Sequence, residues 1–427
     1  MRSPSSKTEM GASIRIPDPV ITDASKGFPA ALRGLRLSEI AWQGLTLADV
    51  ETPLMTVDTG RMRRNEARVI GWARRSGIEM MPHGKTTMTP ALFRRQLEAG
   101  AWGITLATAT QCEAAYAGGV RRLLMANQLV GASNMARISA LLDDAEVDFY
   151  CTVDSADNVR ALGAFFAERG QKLQVLIELG VPGGRCGCRD RAAVQALADL
   201  IAQEPALLLA GIEGYEGVIH GDDPASGVRS YARELVATAD ALAADNRFDI
   251  ATPLITASGS AWYDIIAETF AGTGDRFAPL LRPGCYLTHD HGIYRRAQVD
   301  IRARHADFDE GLRPALEIWA HVQSTPEPGC AITALGKRDI AFDADLPVPL
   351  RRYRPGSDDP ELPVNGWTVT GLMDQHAFVE LPADADVRVG DIIAFGASHP
   401  CLTFDKWRWV CMVDDDDRVL ELLPTAF

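Results

Sequence analysis

Lys85 stands where a lysine can do chemistry. It follows the short apolar stretch Gly77-Ile78-Glu79-Met80-Met81-Pro82 and lies in His83-Gly84-Lys85-Thr86-Thr87, ahead of a helix-like run. At the carboxyl end of a strand, among small and polar residues, a lysine ammonium can lose its proton at a lowered pKa and form a Schiff base with a carbonyl compound. Taken alone, a lysine after a strand is most often a solvated loop residue. A second segment changes that balance. Thr256-Ala257-Ser258-Gly259-Ser260 ends another apolar run and leads towards a helix beginning near Ala261. Small residues let a backbone approach an anion, hydroxyls donate to it, and a helix N-terminus adds free N–H groups and a favourable dipole. A reactive lysine and a phosphate cradle on one rim together imply a phosphorylated aldehyde cofactor, and pyridoxal 5′-phosphate is the obvious one.

A third constellation is His399-Pro400-Cys401. At strand spacing, i and i+2, both side chains share a face, and imidazole with thiolate suits zinc. A buried cysteine beside a structural histidine gives the same pattern, since free cysteine is commonly a core residue. Two rival pairs, His289/His291 and Cys186/Cys188, lack the two further nearby ligands of a closed metal site and rank below it. His83 and His220 read as structural rather than as bases.

The elements that must position these groups alternate. From about residue 50 to 290, apolar β-type runs at 54–57, 79–81, 103–107, 122–126, 147–153, 173–179, 207–214, 254–257 and 280–286 are separated by amphipathic helical segments. About eight βα units of this regularity predict an α/β fold, a (β/α)₈ TIM-type barrel over 51–293. In such a barrel the chemistry sits at the carboxyl ends of the strands, where His83, Lys85, the 178–185 segment with Arg185, the 213–217 segment with Tyr215, and the 256–260 segment all fall. Beyond it, alternating runs and frequent Pro and Gly predict an antiparallel β domain over 294–427, holding the metal pair. Residues 1–50 read as an extension packing on either domain.

A chain of 427 residues has ample length for such a core. Its net charge of −14 argues against nucleic acid and anionic membrane as partners and favours a small-molecule substrate. No signal-peptide core and no run of about 20 apolar residues is present, so a cytoplasmic protein is expected. The eight cysteines are scattered without a disulfide framework, as reduced thiols are.

Pro82-His83-Gly84-Lys85-Thr86-Thr87, the 180–187 segment with Arg185, Gly214-Tyr215-Glu216-Gly217 and Ser258-Gly259-Ser260 resemble the fold-type III pyridoxal-phosphate enzymes of the D-serine dehydratase and D-threonine aldolase group. The resemblance runs from about residue 50 onward. It implies an alanine-racemase-like barrel, a C-terminal β domain and a homodimer. It also implies Lys85 as the Schiff-base lysine, Arg185 and Tyr215 near the cofactor ring, and Ser258, Gly259 and Ser260, beside Thr256, at its phosphate. D-Serine dehydratases are similar in carrying a zinc-binding His-x-Cys, whereas the aldolases tend to place Asp where this chain has Cys401. The expectation is therefore a zinc-assisted dehydration of a D-3-hydroxy amino acid, D-serine to pyruvate and ammonia first. An aldolase, a racemase or a non-catalytic pyridoxal-phosphate carrier are the alternatives.

Overall fold

The computed structural model describes residues 19–22, 26–28, 32–40, 51–305, 310–357 and 361–427. Of the N-terminal extension expected at 1–50, residues 1–18, 23–25, 29–31 and 41–50 lie outside the described residues.

Eight parallel strands form the barrel: β2 (Glu79–Met80), β3 (Ile104–Leu106), β4 (Arg122–Gln128), β5 (Asp148–Val153), β6 (Leu173–Leu179), β7 (Leu207–Gly214), β8 (Leu254–Ala257) and β9 (Ala278–Leu281). Seven neighbouring pairs are in parallel register in the order β2-β9-β8-β7-β6-β5-β4-β3. The ring closes where the Trp102 N–H donates to Met80 O (2.7 Å) and the Thr105 N–H to Pro82 O (2.9 Å). Inside it, Met81, Leu124, Tyr150, Leu176, Ala210, Leu254 and Leu280 form a buried plug, so the barrel is a packed core and not a pore. Each helix turns an apolar stripe onto the strands. In Arg191–Ile201, for example, Val194, Leu197, Ala198 and Ile201 are buried at helical spacing.

The first expected barrel strand is not in the barrel. β1 (Leu54–Asp58) lies in the second sheet, antiparallel to β10 (Leu316–Glu327) in the register Leu54↔Trp319 and parallel to β17 (Trp409–Val413) in the register Thr56↔Cys411. All five of its residues are buried. A short apolar run looks the same in a parallel barrel and in the middle of a mixed sheet, so its pattern could not choose the partner. The segment 51–58 therefore belongs with the second sheet rather than with the expected 51–293 barrel.

That sheet also contains β11 (Cys330–Thr333), β12 (Val348–Tyr353), β13 (Glu361–Leu362), β14 (Thr368–Leu372), β15 (Ala377–Glu380), β16 (Ile392–Gly396) and β18 (Val419–Pro424). Apart from β1 with β17, its pairings are antiparallel. The barrel leads into it through the helix Ile293–Arg304, so the second domain is not purely β. Ile21, Phe28 and Ile40 pack with Leu54, Trp319 and Trp409, which seats the described part of the N-terminal extension on this sheet. Among the described residues no helix is long and apolar enough to cross a membrane.

Candidate active site

One cavity of about 550 Å³ opens at the carboxyl ends of the barrel strands, against the 398–405 segment of the second domain. It gathers Lys85, Arg185, Tyr215, Ser258, Gly259, Ser260, His399 and Cys401 from segments far apart in the chain.

Lys85 rides on a single turn, Gly84–Thr86, directly after β2. A Cβ on Gly84 would stand 2.8 Å from the Phe93 ring and 2.9 Å from Ile104 Cγ2, so the absence of a side chain lets the lysine turn press onto the barrel wall. Thr86, two per cent exposed, anchors the other side of the turn. Among the described residues Lys85 has no hydrogen-bond or ion-pair partner. The neighbouring His83 imidazole is held well below its ordinary pKa by burial, then by the positive charges of Lys85 and Arg282, so it is neutral at pH 7.

Arg185 stands over the Tyr215 ring at 4.9 Å and likewise has no carboxylate partner among the described residues. Its loop is clasped by Arg189, whose guanidinium donates to the carbonyls of Val181 (2.8 Å), Cys186 (3.0 Å), Gly184 (3.3 Å) and Arg185 (2.7 Å). Burial, followed by the Glu216 charge, raises the Tyr215 phenol, which stays protonated.

The 256–260 segment differs from the expected cradle. Thr256 is fully buried in β8 and spends its hydroxyl on Leu280 O (3.1 Å), so it does not reach the cavity. The helix begins at Tyr263, not near Ala261. The Ser258 and Gly259 N–H groups are not free: both donate to the buried Glu216 carboxylate, at 3.0 and 2.7 Å. Ser258 adopts φ 94° to do so. The anion donors at this end are instead the Ser260 hydroxyl, which itself accepts the Gly284 (3.1 Å) and Cys285 (3.0 Å) N–H groups and so keeps its own proton to give.

These features fit pyridoxal 5′-phosphate. Two cations lacking counter-charges, a hydroxyl donor and bare glycine backbone at Gly259 and Gly284 line one space. The Arg282 Nε atom of the same wall is buried without a partner among the described residues, as a donor awaiting a ligand is, and the His83 Nδ1 atom is unpaired beside it. Arg282 is fixed by a buried ion pair to Glu213 and by donation to Gly214 O (2.9 Å). In the sequence, Arg282 and Cys285 fall inside the expected run 280–286 without a role, and Glu216 enters only as a member of the Gly214–Gly217 motif.

His399 and Cys401 meet, though not as neighbours on a strand. Cys401 opens the short helix Cys401–Phe404, and its helical turn brings the sulfur beside the imidazole. His399 Nδ1 is 2.7 Å from Asp343 Oδ2, the arrangement that fixes a metal-binding imidazole with its other nitrogen free. The imidazole is raised to about 9, first by its hydrogen bond to Cys401 and further by Asp343, with burial opposing. The Cys401 thiol is lowered well below its usual value, first by the hydrogen bond from Cys285, against the opposing effect of burial. Such a donor set suits a borderline-soft divalent ion. Among the described residues no three His, Cys, Asp or Glu side chains form a ready metal cluster, so an ion here would have two protein donors and open positions.

The rival pairs do not make sites. His289 takes φ 51° and is buried outside any strand, and Cys188 instead ties its loop to β6 by donating its N–H to Glu178 O (2.7 Å). His220 is exposed.

The alanine racemase N-terminal domain family matches residues 57–290, more than half of the chain. The chain belongs to this family of fold-type III pyridoxal-phosphate proteins. The putative serine dehydratase domain family matches residues 315–413, which sets it in the D-serine dehydratase and D-threonine aldolase group. It is 27% identical to the D-threonine aldolase of Arthrobacter sp., over 90% of this chain and 94% of that one. It is 32% identical to the D-threo-3-hydroxyaspartate dehydratase of Delftia sp. strain HT23 over a shorter stretch, 33% of this chain and 37% of the relative. Among solved structures, the fold is shared with the D-threonine aldolase of Filomicrobium marinum at a TM-score of 0.77 and 23% identity, covering 90% of this chain and 98% of that one. The Delftia dehydratase structure superposes at 0.71 with 23% identity, over 89% and 98%.

Proposed function

We propose that this chain is a pyridoxal-phosphate lyase that removes water and then ammonia from a D-3-hydroxy amino acid, D-serine first, with zinc at His399 and Cys401. The observation that carries the reading is the shared cavity: an unpaired lysine and arginine face a histidine–thiolate pair oriented by Asp343. When bound, the cofactor supplies an electron sink for the Cα carbanion and a divalent ion supplies a Lewis acid for the β-hydroxyl.

The chain's own groups do the rest. Lys85 Nζ would hold the cofactor through its aldehyde, and its free amine would be the base for the Cα proton. Arg185 and the Ser260 hydroxyl bind anionic oxygens, and the protonated Tyr215 packs under the Arg185 guanidinium and orients it. His399 and Cys401 would hold the ion, and Asp343 holds the imidazole. Support for a metal comes also from a relative: a cysteine variant of the Delftia dehydratase was solved in a "metal-free form".

A retro-aldol reading is favoured by one observation, the identity to the Arthrobacter D-threonine aldolase along 90% of the chain. Cofactor-loaded protein is given D-serine, L-serine or D-threonine, with and without prior chelation. Pyruvate from D-serine alone, lost on chelation and restored by zinc, is the expected result. Glycine from D-threonine with no oxo acid from D-serine would replace the dehydratase reading by the aldolase one.

A further inference from the structure

Cys285 is a cavity residue that the proposed chemistry does not use. Its sulfur lies 3.5 Å from Cys401 Sγ, in direct contact. The two cysteines come from different domains, one from the turn after β9, the other from the short helix after β16. Thr86 Oγ1 sits 3.4 Å from Cys401 Sγ and 3.9 Å from Cys285 Sγ, holding the pair from below. Both cysteines line the 550 Å³ cavity, Cys401 partly exposed and Cys285 2% exposed, so a small hydroperoxide entering the cavity meets Cys401 first.

We propose that Cys285 and Cys401 are an oxidation site for hydroperoxides, closing to a disulfide that fastens the barrel to the second domain at the cavity wall. Cys401 sulfur attacks one peroxide oxygen, the O–O bond breaks and water leaves, which gives a sulfenic acid. Cys285 sulfur then displaces the second oxygen as water. The two thiols lose two electrons and two protons, and hydrogen peroxide becomes two waters. The sulfurs close from contact to the covalent length of about 2.05 Å. The bond consumes the Cys401 sulfur as a metal donor, and this consequence rests on the metal reading above. The cross-link itself does not.

The test treats the cofactor-loaded protein with hydrogen peroxide, either zinc-loaded or chelator-stripped, and follows it by peptide mapping without reductant. The expected result is a peptide joining Cys285 to Cys401 in the stripped protein, a titre lowered by two of the eight thiols, reversal by dithiothreitol, and protection by zinc. The Cys285→Ser protein should give no such peptide and carry its oxidation on Cys401 alone. Absence of the joined peptide from stripped wild-type protein overturns the proposal. A joined peptide that forms with bound zinc retained upholds the oxidation site and instead overturns the assignment of zinc to Cys401.

Discussion

Glu216 and Ser258 are joined across two barrel loops: the buried carboxylate accepts the Ser258 N–H at 3.0 Å, and its other oxygen takes the Gly259 N–H. The carboxylate thereby occupies the backbone donors that a phosphate would otherwise claim and holds the turn that presents Ser260. Glu216→Gln keeps one acceptor and turns an amide group towards the other N–H. About 1–3 kcal/mol of stability is expected to be lost, with weaker cofactor binding. Thermal unfolding and a fluorescence titration of the cofactor read both. Unchanged cofactor affinity would show that the turn does not depend on this tether.

Lys85 is expected to be indispensable. Lys85→Ala should lower kcat/KM by about 10²–10⁴ and abolish the covalent label left by borohydride reduction of the loaded protein. A label that persists on another lysine would displace Lys85 from its assigned role.

Asp343 does not line the cavity itself but orients His399, which does. Loss of such a partner costs about 10- to 100-fold in metal affinity. Asp343→Asn should therefore weaken zinc binding by that factor in a competition with a chromophoric chelator, while cofactor binding is kept. Zinc affinity equal to wild type would remove Asp343 from the metal site.

Glu178 gives a pH signature. Burial, and then repulsion from Glu213, raise its carboxyl from an ordinary 4.5 to about 7, against the opposing hydrogen bond from Gln128. The folded state thus binds a proton that the unfolded chain has released, so its contribution to stability is full below about pH 4.5 and lost as pH rises through 7. Glu178→Gln keeps an acceptor for Gln128 and removes the titration. It should flatten stability between pH 5 and 8 and raise it at pH 8 by roughly 3 kcal/mol. Denaturant melts across that range test it, and an unaltered slope would exclude Glu178 as its source.

Much of this was legible in the chain because the carriers are local. Hydrophobic period and strand ends are written within a few residues, so the βα alternation, Lys85 and the 256–260 segment could be read from neighbours alone, whereas the roles of Arg185 and Tyr215 and the reading of His399-Pro400-Cys401 as a metal pair came from the family resemblance. What escaped depends on partners far away in sequence. Leu54 meets Trp319, Glu216 meets Ser258, Cys285 meets Cys401, and no local pattern encodes such meetings. Thr256 was misread for the converse reason. It belongs to the right segment, but strand alternation turns its hydroxyl towards Leu280 rather than the cavity.

The placement of β1 also governs how the molecule can be assembled. The strand leaves the ribosome ahead of the whole barrel, yet both of its neighbours, β10 and β17, are made after it. Until they arrive, an apolar ribbon with two bare edges waits while the barrel is synthesised, a natural place for a chaperone to hold. No single cut in the chain separates the two domains: a fragment beginning after the barrel would lack the strand that joins β10 to β17 and would have an open slot through its centre.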